Sequence, residues 1–305
     1  EAQLVYPGTV DTLTGEEMVF DFSAQGIPND YPDAPARAFR DANGYIQMIA
    51  SHYDCYRLKG LSLETLTRDY ANGPVYTSAL NSTYSNFNQN TWINSPYTTD
   101  GITIHSLNHT EFNGPTSSNW HNAVTYTVST DTGKTYTQSA SPNHLVWCLP
   151  YTYQAGTGPC GYFSPSNIVY NAADGFYYSM LHMEDRGIQQ TGVGLIRTND
   201  LADPISWRGW DGSGFNATAG NPYAPGFSGP AGHTLAPLND LNDNIGTMSS
   251  SLTFNTYFNK WMLIGESSQT INGTTVYGFY YSLSDDLIHW SFRKLVKQMP
   301  IAWAT

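Results

Sequence analysis

Residues 122–136 read NAVTYTVSTDTGKTY, and this stretch carries the two signals that decide the fold. Its first half alternates between apolar and polar side chains, which is the period-2 pattern of a strand with one buried face. Its second half, STDTGKTY, places Ser129, Asp131 and Gly133 in a turn that ends on the aromatic Tyr136. Such residues favour tight turns ordered by local hydrogen bonds. The stretch therefore predicts a strand that leaves through a compact turn.

The same order of parts recurs along the chain with little sequence identity. Each copy has an extended segment, a turn with Gly, Asn or Asp, two alternating strands and a polar turn closed by an aromatic residue. The closing aromatics are Tyr70, Tyr136, Trp207 and Trp290, at spacings of 66, 71 and 83 residues. About four short antiparallel strands fit in such a length. This regularity predicts the four-stranded antiparallel blades of a β-propeller.

Composition supports an all-β chain. Charged residues make up only 12% of the 305 residues, while Tyr (22), Phe (13) and Gly (27) are abundant. Aromatic residues favour strands, and glycine favours the turns between them. We predict a single domain over residues 1–305 with five blades. A fifth blade is expected to combine N-terminal and C-terminal strands, but the C-terminal contribution is too short to close the ring. Either N-terminal strands form most of that blade, or C-terminal residues are missing from the sequence.

Charge and hydropathy exclude several partners. The formal net charge of −12 repels phosphate backbones and anionic membrane surfaces, so no nucleic-acid partner is expected. No apolar run approaches the length of a membrane span, so membrane insertion is not expected either. The chain begins at Glu1 without a leader, from which we expect that a signal peptide has been removed and that the protein is secreted, either extracellular or periplasmic. We also expect a monomer. The sequence contains four Asn-x-Ser/Thr sequons, at Asn81, Asn108, Asn216 and Asn272.

Three cysteines leave the redox state open. Cys148 and Cys160 bracket the loop CLPYTYQAGTGPC, whose Pro and Gly residues would let its ends meet in a disulfide. Cys55 would then remain as a small buried group.

The turn STDTGKTY resembles the Asp box, S-x-D-x-G-x-T-W, of sialidase-like propellers, with Tyr136 in the Trp position. In that family the motif is a hairpin turn, so the resemblance makes Asp131 a structural residue. The segment SLSDDLIHW, residues 282–290, resembles the looser S-x-D-x-x-x-W turn of the arabinanase, xylosidase and invertase-like hydrolases.

Like ends of the innermost strands of a propeller surround one mouth of its channel, so polar residues at those ends are expected to converge. Overlaying the copies gives a set of such residues on adjoining blades: Asp33, Arg37, His52, His109, Glu111, Asn167, His182 and Glu184. Glycosidic bond cleavage needs one carboxyl group that stays protonated and another that stays ionised. We therefore predict Asp33, Glu111 and Glu184 as catalytic. The predicted substrate-binding residues are Arg37, His52, His109, His182, Asn167 and Trp120.

At the level of architecture the chain resembles the five-bladed propeller glycoside hydrolases of the arabinanase, xylosidase and invertase-like kind. An Asp near the start of the first blade, often followed by Pro, is the base or nucleophile in that group, and Asp33 in PDAP matches it. The middle-blade segment SPSN lacks the family's Asp, and no Glu-Gly-Pro is present. The acid therefore falls by position to Glu111 or Glu184, as in a divergent member.

The predicted function is hydrolysis of glycosidic bonds in a poly- or oligosaccharide at the channel mouth. One alternative is a polysaccharide lyase, in which a His or Tyr removes a proton beside a uronate carboxylate that Arg37 neutralises. Another is a sugar-binding propeller without turnover. Oxygen side chains allow a Ca²⁺ ion in the channel, although no spacing of ligands predicts a metal. Motifs for nucleotide, serine hydrolase, zincin or zinc-ribbon chemistry are absent from the sequence.

Overall fold

A computed structural model describes residues 33–50, 54–113, 120–184, 190–238 and 244–299. Within these ranges the regular structure consists of β-strands and four single 3₁₀ turns, so the all-β prediction is confirmed. None of the helical turns in this part of the chain is long and apolar enough to cross a membrane. His52 and the N- and C-terminal segments predicted to form a fifth blade lie outside the described residues.

The strands form four groups, and the first is a five-stranded sheet. Its order is β1-β2-β3-β4, and β5 pairs with β3. The strands are β1 (Arg37–Arg40), β2 (Ile46–Ala50), β3 (Asp54–Gly60), β4 (Thr67–Arg68) and β5 (Tyr76–Thr77). The 3₁₀ turns Leu63–Thr65 and Tyr70–Asn72 follow β3 and β4.

The second and third groups share one ten-stranded sheet with the order β15-β14-β13-β12-β10-β8-β7-β6, in which β9 pairs with β8 and β11 with β12. The second group is β6 (Asn90–Tyr97), β7 (Ile104–Phe112), β8 (His121–Ser129) and β9 (Leu145–Trp147), preceded by the 3₁₀ turn Tyr84–Asn86. The third group is β11 (Val169–Asn171), β12 (Phe176–Glu184), β13 (Gly192–Thr198), β14 (Arg208–Gly209) and β15 (Ala217–Thr218), with the 3₁₀ turn Pro204–Ser206 before β14.

The strand β10 (Cys160–Phe163) joins these two groups, a feature that the repeat pattern did not predict. It runs parallel to β8 and antiparallel to β12. Gly161 makes the junction possible, because its φ is 113° and a Cβ there would lie 2.2 Å from the carbonyl oxygen of Asn122 on β8. Only glycine adopts this conformation and this close approach without strain.

The fourth group is a separate four-stranded antiparallel sheet in the order β16-β17-β18-β19. Its strands are β16 (Ser251–Asn255), β17 (Lys260–Ile271), β18 (Thr274–Ser284) and β19 (Lys294–Gln298). Its strands follow the predicted order of consecutive hairpins from end to end.

Apolar cores lie between successive groups. One core packs side chains of β1 to β3 against Ile93 of β6 and Ile104 of β7. A second joins the strands of the second group to Leu181 and Met183 of β12. A third packs the other face of the third group, including Met180, against the fourth group. Alternate residues of β12 therefore serve two cores, as expected for a strand buried on both faces.

Hydrogen bonds link the first strands of the four groups in succession. The Ser95 hydroxyl donates to the Ser166 carbonyl at 2.6 Å, which joins β6 to the segment before β11. The Asn167 amide donates to the Leu252 carbonyl and accepts from the Leu252 N–H, joining that segment to β16. The Arg37 guanidinium donates to the carbonyls of Asn94 and Ser250, so β1 contacts both the second and the fourth groups.

The polar turns are ordered by local hydrogen bonds, as the resemblance to the Asp box implies. The Asp131 carboxylate accepts from the N–H groups of Lys134 and Thr135 and from the hydroxyls of Ser129 and Thr135. Burial acts to raise the pKa of Asp131, but the hydrogen bonds from Thr135, Ser129 and Lys134 together outweigh it and lower that pKa. This carboxylate is therefore saturated by its own turn.

Asp286 repeats the arrangement in the fourth group, since its carboxylate accepts from the N–H groups of Ile288 and His289. Of the closing aromatics, Tyr136, Trp207 and Trp290 are buried. Tyr70 is instead 37% exposed; it lies in a 3₁₀ turn, and its ring meets that of Tyr56 edge to face with centroids 5.6 Å apart.

The structure contradicts a disulfide between Cys148 and Cys160. None of the three cysteines forms a disulfide, and all three are buried. Cys148 and Cys160 belong to different apolar cores, and the Cys148 thiol donates to the Gly220 carbonyl. Burial raises the pKa of Cys148, which makes its thiolate unreactive. Cys55 is buried, as predicted. Among the sequons, Asn108 is fully buried in β7 and presents no surface for a glycan.

Candidate active site

Two glutamates lie at corresponding strand ends. Glu111 is near the end of β7 and pairs in register with Asn90, the first residue of β6. Glu184 is the last residue of β12 and pairs with Gly161 of β10. Each follows a histidine two residues earlier, and the period of a strand places both members of such a pair on one face. The sequence pattern His-x-Glu is thus converted into two side-chain pairs.

The His109–Glu111 pair is enclosed. The His109 Nε2 lies 3.0 Å from the Glu111 Oε1, and the two side chains are only 7% and 16% exposed. The backbone N–H of Ser164 donates to His109 Nδ1 at 3.2 Å. Because Nδ1 accepts this bond, the proton of a neutral imidazole is on Nε2, which then donates to Glu111. The carboxylate is therefore held in one orientation by a histidine that is itself fixed.

The His182–Glu184 pair is more open. The His182 Nε2 lies 2.7 Å from the Glu184 Oε1, with side-chain exposures of 22% and 36%. Phe163 of β10 lies between the two pairs. Its ring stacks on His109 with centroids 5.9 Å apart, and it meets the ring of His182 edge to face at 5.5 Å. A single aromatic residue on the joining strand thus connects both histidines.

The other predicted residues have mixed placements. Asp33 is exposed and precedes β1. Arg37 lies four residues later, and its guanidinium donates to Asn94 O at 2.7 Å and to Ser250 O. Burial lowers the pKa of Arg37 to about 10, so it stays charged at neutral pH while binding main-chain carbonyls.

The Arg37 guanidinium contacts Asn94, the fifth residue of β6. Asp33 lies four residues before Arg37, and Asn90 lies four residues before Asn94. Asn90 is the register partner of Glu111, so the Arg37–Asn94 contact lies on the strand that pairs with β7.

Asn167 uses its amide in the link to Leu252. Trp120 is 38% exposed and directly precedes β8, whose first residue pairs with Phe112, so it lies at the Glu111 end of the sheet. Its carbonyl accepts from the N–H of Cys160. Phe163, the last residue of β10, and Ser164, which follows it, were not predicted as site residues from the sequence. The φ of 29° at Ser164 is a local irregularity that sequence patterns do not reveal.

A Ca²⁺ ion in the channel stays a prediction. In the described ranges no group of three or more His, Cys, Asp and Glu side chains is arranged to hold a metal. The carbonyl oxygens of Asn94 and Ser250 already accept hydrogen bonds from the Arg37 cation. A second cation at those oxygens would be repelled by the guanidinium, so these residues do not fit a calcium site there.

Comparison with known proteins identifies the fold. No protein-family model matches the chain, and no curated protein matches it. Among solved structures, a glycosyl hydrolase from Bacteroides ovatus superposes with a TM-score of 0.50 at 14% identity, covering 87% of this chain and 70% of the other. A thermostable family-43 glycoside hydrolase gives a TM-score of 0.50 at 10% identity, covering 87% and 76%. At these identities the likeness concerns the fold, which this chain shares with glycoside hydrolases of the propeller type.

Proposed function

We propose that the protein is a glycoside hydrolase whose active site includes Asp33, Glu111 and Glu184. The observation that carries the proposal is the pair of His–Glu contacts on either side of Phe163, at like strand ends of a fold shared with glycoside hydrolases. Two or more carboxyl groups at one mouth supply the acid and the base or nucleophile of glycosidic cleavage.

Glu111 is the proposed general acid. An acid must hold its proton within hydrogen-bond reach of the leaving oxygen. Glu111 is the glutamate with the fixed position, since His109 holds it and the Ser164 N–H in turn holds His109. Glu184, with a side chain 36% exposed, is proposed to bind sugar hydroxyls together with His182. Asp33 is proposed as base or nucleophile on the strength of its place before β1 and the resemblance of PDAP to the family.

The proposed architecture is a single-domain, five-bladed propeller in which the four strand groups are blades and the turns at Asp131 and Asp286 connect outer strands. The succession of hydrogen bonds from Arg37 through Ser95 and Asn167 supports a ring, because it links the first group to the fourth. We further propose that the protein acts outside the cytoplasm as a monomer. Exposed sequons at Asn216 and Asn272 agree with secretion.

Hydrolysis is favoured over lyase chemistry by the contacts of Arg37. A lyase needs a cation that neutralises the uronate carboxylate, and two nitrogens of Arg37 are bound to main-chain carbonyls instead.

The test is a screen of plant, algal and fungal polysaccharides that measures new reducing ends and near-ultraviolet absorbance together. We expect reducing ends without an absorbing product. Activity should be lost in Asp33→Asn and Glu111→Gln and retained in Glu64→Gln, which removes a fully exposed carboxylate on a 3₁₀ turn. Absorbance rising with the reducing ends would show elimination, and binding that persists without any product in the screen would favour the non-catalytic reading.

A further inference from the structure

A cavity of about 220 Å³ lies at the other end of the same strands. Its lining comes from the β6–β7 turn, from β7, from the start of β12 and from the turn after β13: Tyr97, Thr99, His105, Tyr177, Asn199, Asp200, Leu201 and Ala202. His105 and Glu111 are six residues apart on β7, which corresponds to about 20 Å at the rise of a strand. The cavity is therefore separate from the candidate active site.

Tyrosine rings form one wall of this cavity. Tyr97 and Tyr177 meet edge to face with centroids 5.4 Å apart. Both are half-buried and pack against the apolar core between the second and third groups, and this packing fixes the positions of their rings. Tyr170 lies 4.9 Å from Tyr177 and is 45% exposed. Fixed aromatic rings beside a concave space offer apolar contact to the C–H face of a sugar ring while their hydroxyl groups stay accessible to water.

Polar groups with unused hydrogen-bonding capacity form the rest of the lining. His105 Nδ1 lies 2.6 Å from the Tyr126 hydroxyl, and its Nε2 makes no hydrogen bond within the described chain. Burial lowers the pKa of His105, although Asp100 and Asp200 act against it, so the ring is neutral. Asp200 accepts from the N–H of Ala202 through Oδ1, which leaves Oδ2 at the exposed rim. A few convergent polar groups beside apolar walls are the usual composition of a small-molecule site.

We propose that this cavity is a second carbohydrate-binding site, which takes one uncharged sugar residue of a neutral glycan. The volume is below the roughly 300–1,000 Å³ of drug-sized sites, which limits the ligand to about one sugar ring. Asp100 and Asp200 near the cavity, together with the net charge of −12, disfavour uronates and sulfated sugars. The site goes beyond the proposed catalysis and does not require it, because binding there involves no bond cleavage.

The test is affinity electrophoresis of the full chain in gels that contain arabinan, xylan, mannan or polygalacturonate. Ala202→Trp fills the cavity from an exposed position without removing a core side chain, and Tyr97→Ala removes one wall. The matched control is Tyr257→Ala, an aromatic 84% exposed and outside both sites. Thermal unfolding of each variant verifies its fold, and Ala202→Trp decides the outcome if Tyr97→Ala is unfolded.

We expect retardation by at least one neutral glycan. It should weaken at least tenfold in Ala202→Trp, stay unchanged in Tyr257→Ala and persist in the Glu111→Gln, Glu184→Gln double variant. The proposal is overturned if Ala202→Trp is retarded as strongly as the parent protein, or if the double variant loses binding while Ala202→Trp keeps it. It is also overturned if polygalacturonate is the only glycan that retards the protein. Absence of retardation by all three neutral glycans also overturns it. Turnover is measured in a separate assay, so a lack of hydrolase activity would not change the interpretation of the binding result.

Discussion

The pairs His109–Glu111 and His182–Glu184 have the same sequence spacing and the same Nε2 to Oε1 contact, yet their surroundings differ. The first has a second anchor in the Ser164 N–H and is almost closed to water, while the second has more than twice the exposure at each residue. The spacing on a strand therefore determines which side chains pair. How tightly a pair is held depends on the strand that packs beside it, here β10.

The largest expected difference between the pairs is catalytic. Glu111→Gln should lower kcat/KM on a natural glycosidic linkage by about 10²–10⁴-fold, the usual contribution of a general acid. Glu184→Gln should cost about tenfold, mostly in KM, because a lost hydrogen bond to a sugar hydroxyl is worth about 1–1.5 kcal/mol. Steady-state kinetics of the two variants measures both effects. Equal losses in kcat would remove the distinction between the pairs.

The next difference concerns stability. His109→Asn should lower the free energy of unfolding by about 1–3 kcal/mol, since it leaves the partly buried Ser164 N–H and the Glu111 carboxylate without this partner. His182→Asn should cost less than about 1 kcal/mol, as for a partly exposed pair. Urea unfolding of both variants checks this, and a larger effect for His182 would contradict the description of its pair as the loosely held one.

Phe163 connects the pairs, so its removal should affect both. Phe163→Leu keeps an apolar side chain but loses the ring contacts with His109 and His182, at a cost of about 0.5–1.5 kcal/mol. In a double-mutant cycle, Phe163→Leu should couple more strongly to His109→Asn than to His182→Asn, because the ring stacks on the enclosed histidine. Additive effects in both cycles would show that the ring does not hold either pair.

A smaller effect, on the pH dependence of stability, is expected at His105, near the end of β7 that lies away from Glu111. Burial lowers the pKa of His105 in the folded protein below its ordinary 6.5. The unfolded chain therefore takes up this proton at higher pH than the folded chain, and stability falls as the pH drops through about 6.5.

His105→Gln should reduce the loss of stability between pH 7.5 and 5.5, measured by thermal unfolding at both values. Part of the loss should remain, because burial also lowers the pKa of His144 against the opposing hydrogen bonds from Phe87 and Ser139. An unchanged pH dependence in the variant would contradict a neutral, half-buried His105.

Much of this architecture is readable from local patterns. The alternation in residues 122–136 predicted β8, and the S-x-D turns predicted how Asp131 and Asp286 are used, because both depend on neighbours within a few residues. The His-x-Glu spacing likewise explains why each histidine and glutamate share a face of their strand. These features need no knowledge of distant chain segments.

The remainder depends on contacts between distant segments. The parallel pairing of β10 with β8 requires Gly161 to approach Asn122, 39 residues away in sequence, and no local pattern encodes that approach. The Arg37 guanidinium donates to the Ser250 carbonyl, 213 residues away, and no local pattern predicts that contact. The sequence left a disulfide between Cys148 and Cys160 open, and it does not form because the two cysteines lie in different cores. Tertiary packing decided each of these cases.

The most direct test of the central claim, that Glu111 protonates the leaving oxygen, varies the leaving group. Once the screen identifies the sugar, the parent protein and Glu111→Gln are compared on its natural linkage and on its 2,4-dinitrophenyl glycoside, whose leaving group needs no protonation. We predict that the variant loses at least about 10²-fold on the natural linkage and stays within about tenfold of the parent on the aryl glycoside. Equal losses on both substrates would contradict the role of Glu111 as the acid.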